Sequence, residues 1–422
     1  MDADVVVVGA GLAGLRCAAR LVELGHDAMV LERAHAVGGR VRTDVVDGFR
    51  CDRGFQVVNP AYPAIKRWVD LDALNLKAFG AGVLVRQHGG LAVIADPVRE
   101  PRLLTRTLRS GYVRPVEVAA LARWAAVVLA RPQAVAHEDD CSIAESLDAA
   151  GVTGRLRREV LDPFLAGVLV DSHGTVSARF VKLLVRSFVL GRPGVPAAGM
   201  AALPEQLAAP LGPRVRLGAV VDGVTSGGDR AEVRVDGTVL RSRTAVVATD
   251  PLTAAELTGI PTPLTRGLVT WWFEAPEVPT QHNLIAVDGR RDRPASPGPV
   301  WNAALMSAAA PSYAPPGRHL VEATCLLDDV EARTGGARAA SETEVLRHVG
   351  DIYGCSTSGW RVVTRHRVTA ALPALRPGTP VRSSVSVDRG LFVCGDHRDT
   401  PSLQGALVSG NRTADAVHRH LR

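Results

Sequence analysis

An α/β protein is the fold class this sequence predicts, and three observations predict it. Residues 4–8 (DVVVV) form a nearly unbroken β-branched run, the pattern of a strand buried on both faces. A glycine-rich turn follows at once, and apolar residues at helical spacing (Leu15, Ala18, Ala19, Val22) then run to about Leu24, with Gly25 as the stop. A second strand, 28–31, ends on Glu32 and completes a strand–helix–strand unit. The 422 residues are about three times the ~150 of a usual domain, so two packed domains are expected.

Each part of the opening unit has a physical task. Gly9 permits a tight turn, Gly11 lets the backbone approach a pyrophosphate at the helix N-terminus, and Gly14 lets the helix close on the strand. Glu32, 18 residues beyond Gly14, can accept from a ribose 2′-hydroxyl. A lone GxGxxG is a weak signal, but between a strand and a helix and followed by an acid it is a dinucleotide fingerprint. No second GxGxxG occurs in mid-chain, so one tightly bound nucleotide is expected.

After Glu32 and Arg33 come Gly38, Gly39, Arg40 and Arg42, in GGRVRT. Two glycines admit a ligand close to the backbone, and an arginine offers a charge-assisted fork to phosphate. With these residues the sequence resembles the flavin amine oxidase, phytoene desaturase and protoporphyrinogen oxidase superfamily. The resemblance implies a Rossmann-like FAD-binding domain with an inserted α+β substrate domain. It implies non-covalent FAD, with Arg33, Arg40 and Arg42 on the nucleotide side and Gly38 and Gly39 near the flavin ring. Asp52, Gly54, Phe55 and Gln56 resemble the family's D-x-G loop beside that ring, which makes Phe55 and Gln56 candidate cavity residues.

Two further stretches resemble the family's remaining FAD segments. Residues 199–224 read as a helix and a strand, in which Val221 would hold the adenine through its backbone; 244–249 (TAVVAT) resembles the strand returning to the cofactor. Residues 391–417 carry Gly395-Asp396, with Asp396 expected on a ribityl hydroxyl. Thr400 reads as an N-cap and Pro401 as a first helical residue. The helix that follows has small residues at 405, 406, 409 and 410, so that Ser402, Leu403 and Ala406 would border a planar ligand. The implied boundaries are 1–60, 195–250 and 386–422 for the FAD domain, and 61–194 and 251–385 for the substrate domain. In the substrate domain 141–150, 155–170 and 176–190 read as helices, and 267–274, 300–307 and 319–326 as strands. Trp271 and Phe273 share a strand face and are further cavity candidates.

Composition bounds the function. Apolar residues at 46% and charged residues at 22% exclude disorder. Aromatics at 4% argue against a base-stacking surface for nucleic acid. Six cysteines without a CxxC suggest neither a metal site nor a redox pair, and they read as buried thiols of a reducing, cytoplasmic setting. The N-terminus enters a strand with no basic leader, so no signal peptide is expected. Residues 97–131 interleave Arg99, Arg102, Arg106, Arg109 and Arg114 with leucines, so a peripheral membrane contact is one reading and a solvated helix face the other. Lys66, Lys77 and Lys182 are the only lysines among 49 basic residues, and none falls in the second insertion, where the family's amine oxidases place a flavin-site lysine. The expectation is therefore an FAD-dependent oxidoreductase that dehydrogenates a C–C or C–N bond of an apolar or cyclic substrate by hydride transfer to flavin N5. The alternatives are a lysine-free amine oxidase, a redox-neutral isomerase, or a prenyl-protein escort protein without flavin chemistry.

Overall fold

The protein is described by a computed structural model over residues 1–135, 138–227, 230–292, 297–327 and 340–422. The strand Ala3–Val8 is central to the first sheet and pairs in parallel with Ala28–Glu32 on one side and Thr238–Val247 on the other. Val215–Leu217 and Leu391–Val393 extend these two neighbours, again in parallel. The double-sided burial read from the sequence holds: Val5 and Val7 enter one core, with the helix Leu12–Glu23, while Val6 and Val8 enter another. Beyond Thr238–Val247 the same sheet continues as an antiparallel meander through Arg230–Val235 to Val221–Gly227, and Val224, Ala231, Val233 and Val235 join that second core.

The helices Leu12–Glu23 and Leu403–Leu421 pack so closely that a Cβ at Gly410 would lie 2.1 Å from the Ala13 carbonyl oxygen. Two expectations about the second helix need correction. Its N-cap is Ser402, whose hydroxyl accepts from the Gly405 amide at 3.0 Å, and Thr400 instead contacts the Ser402 hydroxyl. Of its small residues only Ala406 lines the cavity described below; Gly405 admits the Thr400 carbonyl, Gly410 admits the neighbouring helix, and buried Ser409 accepts from the Gly395 amide.

Among the described residues the second sheet has seven strands, in the order Arg361–Pro373, Thr265–Ala275, His319–Leu326, Val300–Leu305, Ile285–Asp288, Gly82–Gln87 and Gly90–Ala95. The first insertion is thus not only helical. Its hairpin, 82–95, turns through His88 and Gly89 into Gly90, where φ is +135°, and joins the sheet by parallel pairing with Ile285–Asp288. The expected helices appear as Ile143–Ala149, with a Ser142–Glu145 capping box, and Ala178–Leu190. The third opens with a π turn, Arg157–Leu161, before Asp162–Leu169. Pro163 has no N–H to offer Glu159, and the ladder widens there. Among the described residues no helix is long and apolar enough to cross a membrane.

Candidate active site

The two sheets border one continuous cavity of about 1390 Å³. That exceeds the ~300–1,000 Å³ of an ordinary ligand pocket and leaves room for a dinucleotide and a second molecule. Its walls are of two kinds, one made of backbone and charge, the other of apolar side chains.

The first wall follows the ends of the parallel strands. Gly14 faces inward: a Cβ there would lie 2.0 Å from the Gly9 carbonyl oxygen, so this glycine serves helix–strand contact. Gly11 is the opposite case, since a Cβ there meets nothing within 4 Å and would project into the cavity that Gly11 lines. Gly9, Gly38 and Gly39 line the same space, and the Gly38 amide donates to the Ala10 carbonyl at 2.8 Å, which holds the GGR loop against the fingerprint turn. Glu32 is buried. One carboxylate oxygen accepts from the Ala10 amide at 2.8 Å and the other from the Ala34 amide at 2.9 Å. A carboxylate has about four acceptor sites, so Glu32 keeps capacity for a ligand hydroxyl. A backbone cradle left open at Gly11, beside an oriented carboxylate, fits the pyrophosphate and ribose of a dinucleotide.

Arg40 and Asp396, expected at separate points, are joined. Arg40 donates to the Asp396 carboxylate at 2.6 Å and to the Ala371 carbonyl at 2.7 Å. Burial works against its charge, but Asp396 outweighs burial and raises its pKa. Arg33 and Arg42 line the cavity, as do Val221, Gly395, Ser402 and Leu403. Gly395 is packed against its own turn: a Cβ there would lie 2.5 Å from the His397 imidazole. Burial pushes His397 down to about 4, so the ring is neutral near pH 7. Three acids that line the cavity, Asp96, Asp250 and Glu256, escaped the sequence reading. Asp250 caps the helix Pro251–Thr258 by accepting from the Leu252 and Thr253 amides, both at 3.1 Å, and it lines the cavity. Burial raises its pKa, but Thr253 and Arg33 outweigh that and lower it. The available signal was an Asp-Pro pair directly after the TAVVAT strand.

Phe55 and Gln56 lie where the walls meet. Phe55 packs edge-on against Phe79 at 5.8 Å. Gln56 donates to the Arg40 carbonyl at 3.1 Å, while its buried side-chain oxygen has no partner. Asp52, in the same motif, points away. It accepts from Thr43, the Met200 amide and Tyr313, and burial pushes it up to about 6.

The second wall comes from helices of the inserted region. Leu121, Trp124, Leu147, Phe164, Leu165, Phe180, Leu184 and Phe188 line it, and none of its lining residues from 115 to 190 is ionisable. Phe164 and Phe188 meet edge-on at 5.9 Å. Leu268, Ile285 and Asn302 close it from the sheet. Trp271 and Phe273, expected as cavity candidates, are not there: they stack on each other at 6.1 Å, buried in a separate core with the helix Glu342–Tyr353. None of Lys66, Lys77 and Lys182 lines the cavity.

Comparison with known proteins agrees with this geometry. The family model described as flavin containing amine oxidoreductase matches residues 12–418. Hydroxysqualene dehydroxylase of Rhodopseudomonas palustris is 26% identical over 466 aligned positions, covering 99% of each chain. Putrescine oxidase of Kocuria rosea is 43% identical over 70 residues, 17% of this chain and 15% of that one. The first curated relatives are likewise matched over only about 14% of their length. Among solved structures, an oxidoreductase of Methanosarcina mazei superposes with a TM-score of 0.73 at 17% identity, covering 97% of this chain and 99% of that one, a likeness of fold.

Proposed function

This chain belongs to the flavin-containing amine oxidoreductase family and is an FAD-dependent oxidoreductase, and from that premise we propose that it oxidises an apolar, hydrocarbon-like substrate at carbon. The observation that carries the proposal is the wall from 115 to 190, which offers a substrate no ionisable side chain. An ammonium ion against that stretch would lose its hydration without a partner, at a cost of several kcal/mol, since the acids of the cavity, Asp96 and Glu256 among them, lie on other segments. A hydrocarbon gains ~0.8 kcal/mol for each CH₂ it buries. Bound FAD supplies the two-electron acceptor for a hydride from carbon.

In this reading the amides near Gly11 hold the pyrophosphate, Glu32 the adenosine ribose, and Val221 the adenine. Arg40 acts through Asp396, fixing that carboxylate for a ribityl hydroxyl and balancing its charge. Gly38, Gly39 and the helix N-terminus at Ser402, Leu403 and Ala406 border the ring. Phe55 and the unpartnered oxygen of Gln56 face the seam between cofactor and substrate. The helices exclude water, so a reacting carbon meets the cofactor in a dry space.

Substrate delivery from a lipid surface belongs to the same proposal. The helix Pro115–Ala130, whose Leu121 and Trp124 line the cavity, exposes Val116 (82%), and the preceding segment exposes Leu108 (61%) and Val98 (86%). Exposed Arg102 and Arg109 lie between them, an arrangement suited to an anionic bilayer. Sedimentation with phosphatidylglycerol vesicles, but not phosphatidylcholine vesicles, is the expected result; equal recovery with both would remove this part.

The main test is an anaerobic screen of the flavin-loaded protein against polyenes, cyclic terpenoids, porphyrinogens and amines. Bleaching of the flavin by an apolar compound is expected. Bleaching by small amines alone would overturn the reading, and purified protein without flavin absorbance would sink it entirely.

A further inference from the structure

Four non-glycine residues among those described have positive φ, and three of them, Asp47, Asn75 and Asp236, are of the types that tolerate it. The fourth is Val170, at φ 53° and ψ 41°. A β-branched residue in the left-handed region is a true outlier. It ends the helix Asp162–Leu169, where glycine is the usual choice. This chain makes the usual choice elsewhere: Gly259 and Gly354 end their helices in the same conformation.

What distinguishes Val170 is its position on the apolar wall of the cavity. The turn is also held from behind. Buried Arg266 donates to the Val170 carbonyl at 3.3 Å and to Asp171 at 2.9 Å. The buried Asp171 carboxylate in turn accepts from the amides of His173, Thr175 and Val176, at 3.0, 2.6 and 2.9 Å. An unfavourable backbone persists only where its surroundings over-determine it, and such sites gather where function needs them.

We propose that Val170 is a specificity-determining residue of the chamber, a branched side chain held in a strained turn by Asp171 and Arg266 because its methyl groups set the width available to the substrate. The proposal rests on the reading of this wall as the site of an apolar substrate.

The test compares a slim and a bulky probe, 1-dodecanol and cyclododecanol, titrated into the flavin-loaded protein and followed by perturbation of flavin absorbance. Val170→Gly should give a higher Tm than Val170→Ala, since glycine accepts this backbone freely, and shift the ratio of the two Kd values at least fivefold toward cyclododecanol. Val170→Ala should shift the ratio in the same direction without raising Tm. An unchanged ratio in both variants, with the wild type binding both probes, would overturn the role of Val170 and leave the chamber reading standing. A Tm for Val170→Gly below that of Val170→Ala would overturn the strain. Failure of the wild type to bind either alcohol would overturn the chamber reading, and this proposal with it.

Discussion

The two walls of the cavity are built by different means, and the proposed function assigns each a different kind of recognition. The wall proposed for the nucleotide is built from backbone amides, glycines that leave space beside the backbone, and an acid and an arginine fixed by hydrogen bonds. The chamber wall is built from helix side chains that are apolar and differ in shape, with Asn302 beside them on the sheet. Backbone recognition tolerates few residues at fixed spacing, whereas apolar recognition tolerates many residues at any spacing that leaves the hollow. Each region also hides a carboxyl that burial raises far, Asp52 on the side of the parallel sheet and Glu322 in the sheet behind the chamber.

The largest expected effect separates two glycines of one motif. Gly14→Ala forces a Cβ against the Gly9 carbonyl and should cost about 3 kcal/mol or more, lowering Tm by roughly 3 °C or more in a chain of this length. Gly11→Ala should leave Tm of the flavin-free protein unchanged while weakening flavin retention. Equal thermal scans for the two variants would break the distinction between packing and cradle.

Next is Arg40→Ala. Losing a charge-assisted contact of ~1.5–3 kcal/mol should weaken FAD retention roughly 10- to 100-fold, measured by flavin stoichiometry after dialysis. Normal stoichiometry would refute the map of the nucleotide wall. Phe164→Asn should do the reverse. Flavin content stays normal, while binding of an apolar ligand such as 1-dodecanol falls about tenfold, because a polar group in that wall has no partner.

The smallest effect distinguishes the two buried carboxyls. Burial raises Glu322 to about 8, against hydrogen bonding from Thr324, which lowers it. Its folded-state pKa lies above the unfolded value of ~4.3, so the folded state holds the proton more tightly. The stability it contributes is complete at low pH and is lost as pH rises toward 8. Asp52 has the same sign, between ~3.9 and its folded value of about 6. Glu322→Gln should therefore flatten the decline in Tm between pH 6 and 8, and Asp52→Asn the decline below pH 6. A wild-type Tm that rises across pH 6 to 8 would contradict the assignment of Glu322.

Legibility in the sequence followed the same division. Gly9, Gly11, Gly14, Glu32, Gly38 and Gly39 were readable because close backbone approach leaves almost one residue type at each position. Trp271 and Phe273 were misread because a buried aromatic looks the same from its own strand whether it faces a cavity or a core. The hairpin at 82–95 was passed over although two glycines mark its turn, since its strands are partnered from the distant segment 285–288. Asp250 was missed because its cap shares one short segment with the cavity wall.

The sequence alone determined the α/β class, the dinucleotide fingerprint and the family, because these depend on local spacing and on steric limits that one stretch of chain carries. Only the tertiary structure decided that Arg40 clasps Asp396, that four helices meet around a hollow, and that Val170 stands on its wall in a glycine's conformation. Each of these depends on which distant segment arrives opposite, and an apolar helix face does not record whether it meets another side chain or an empty space.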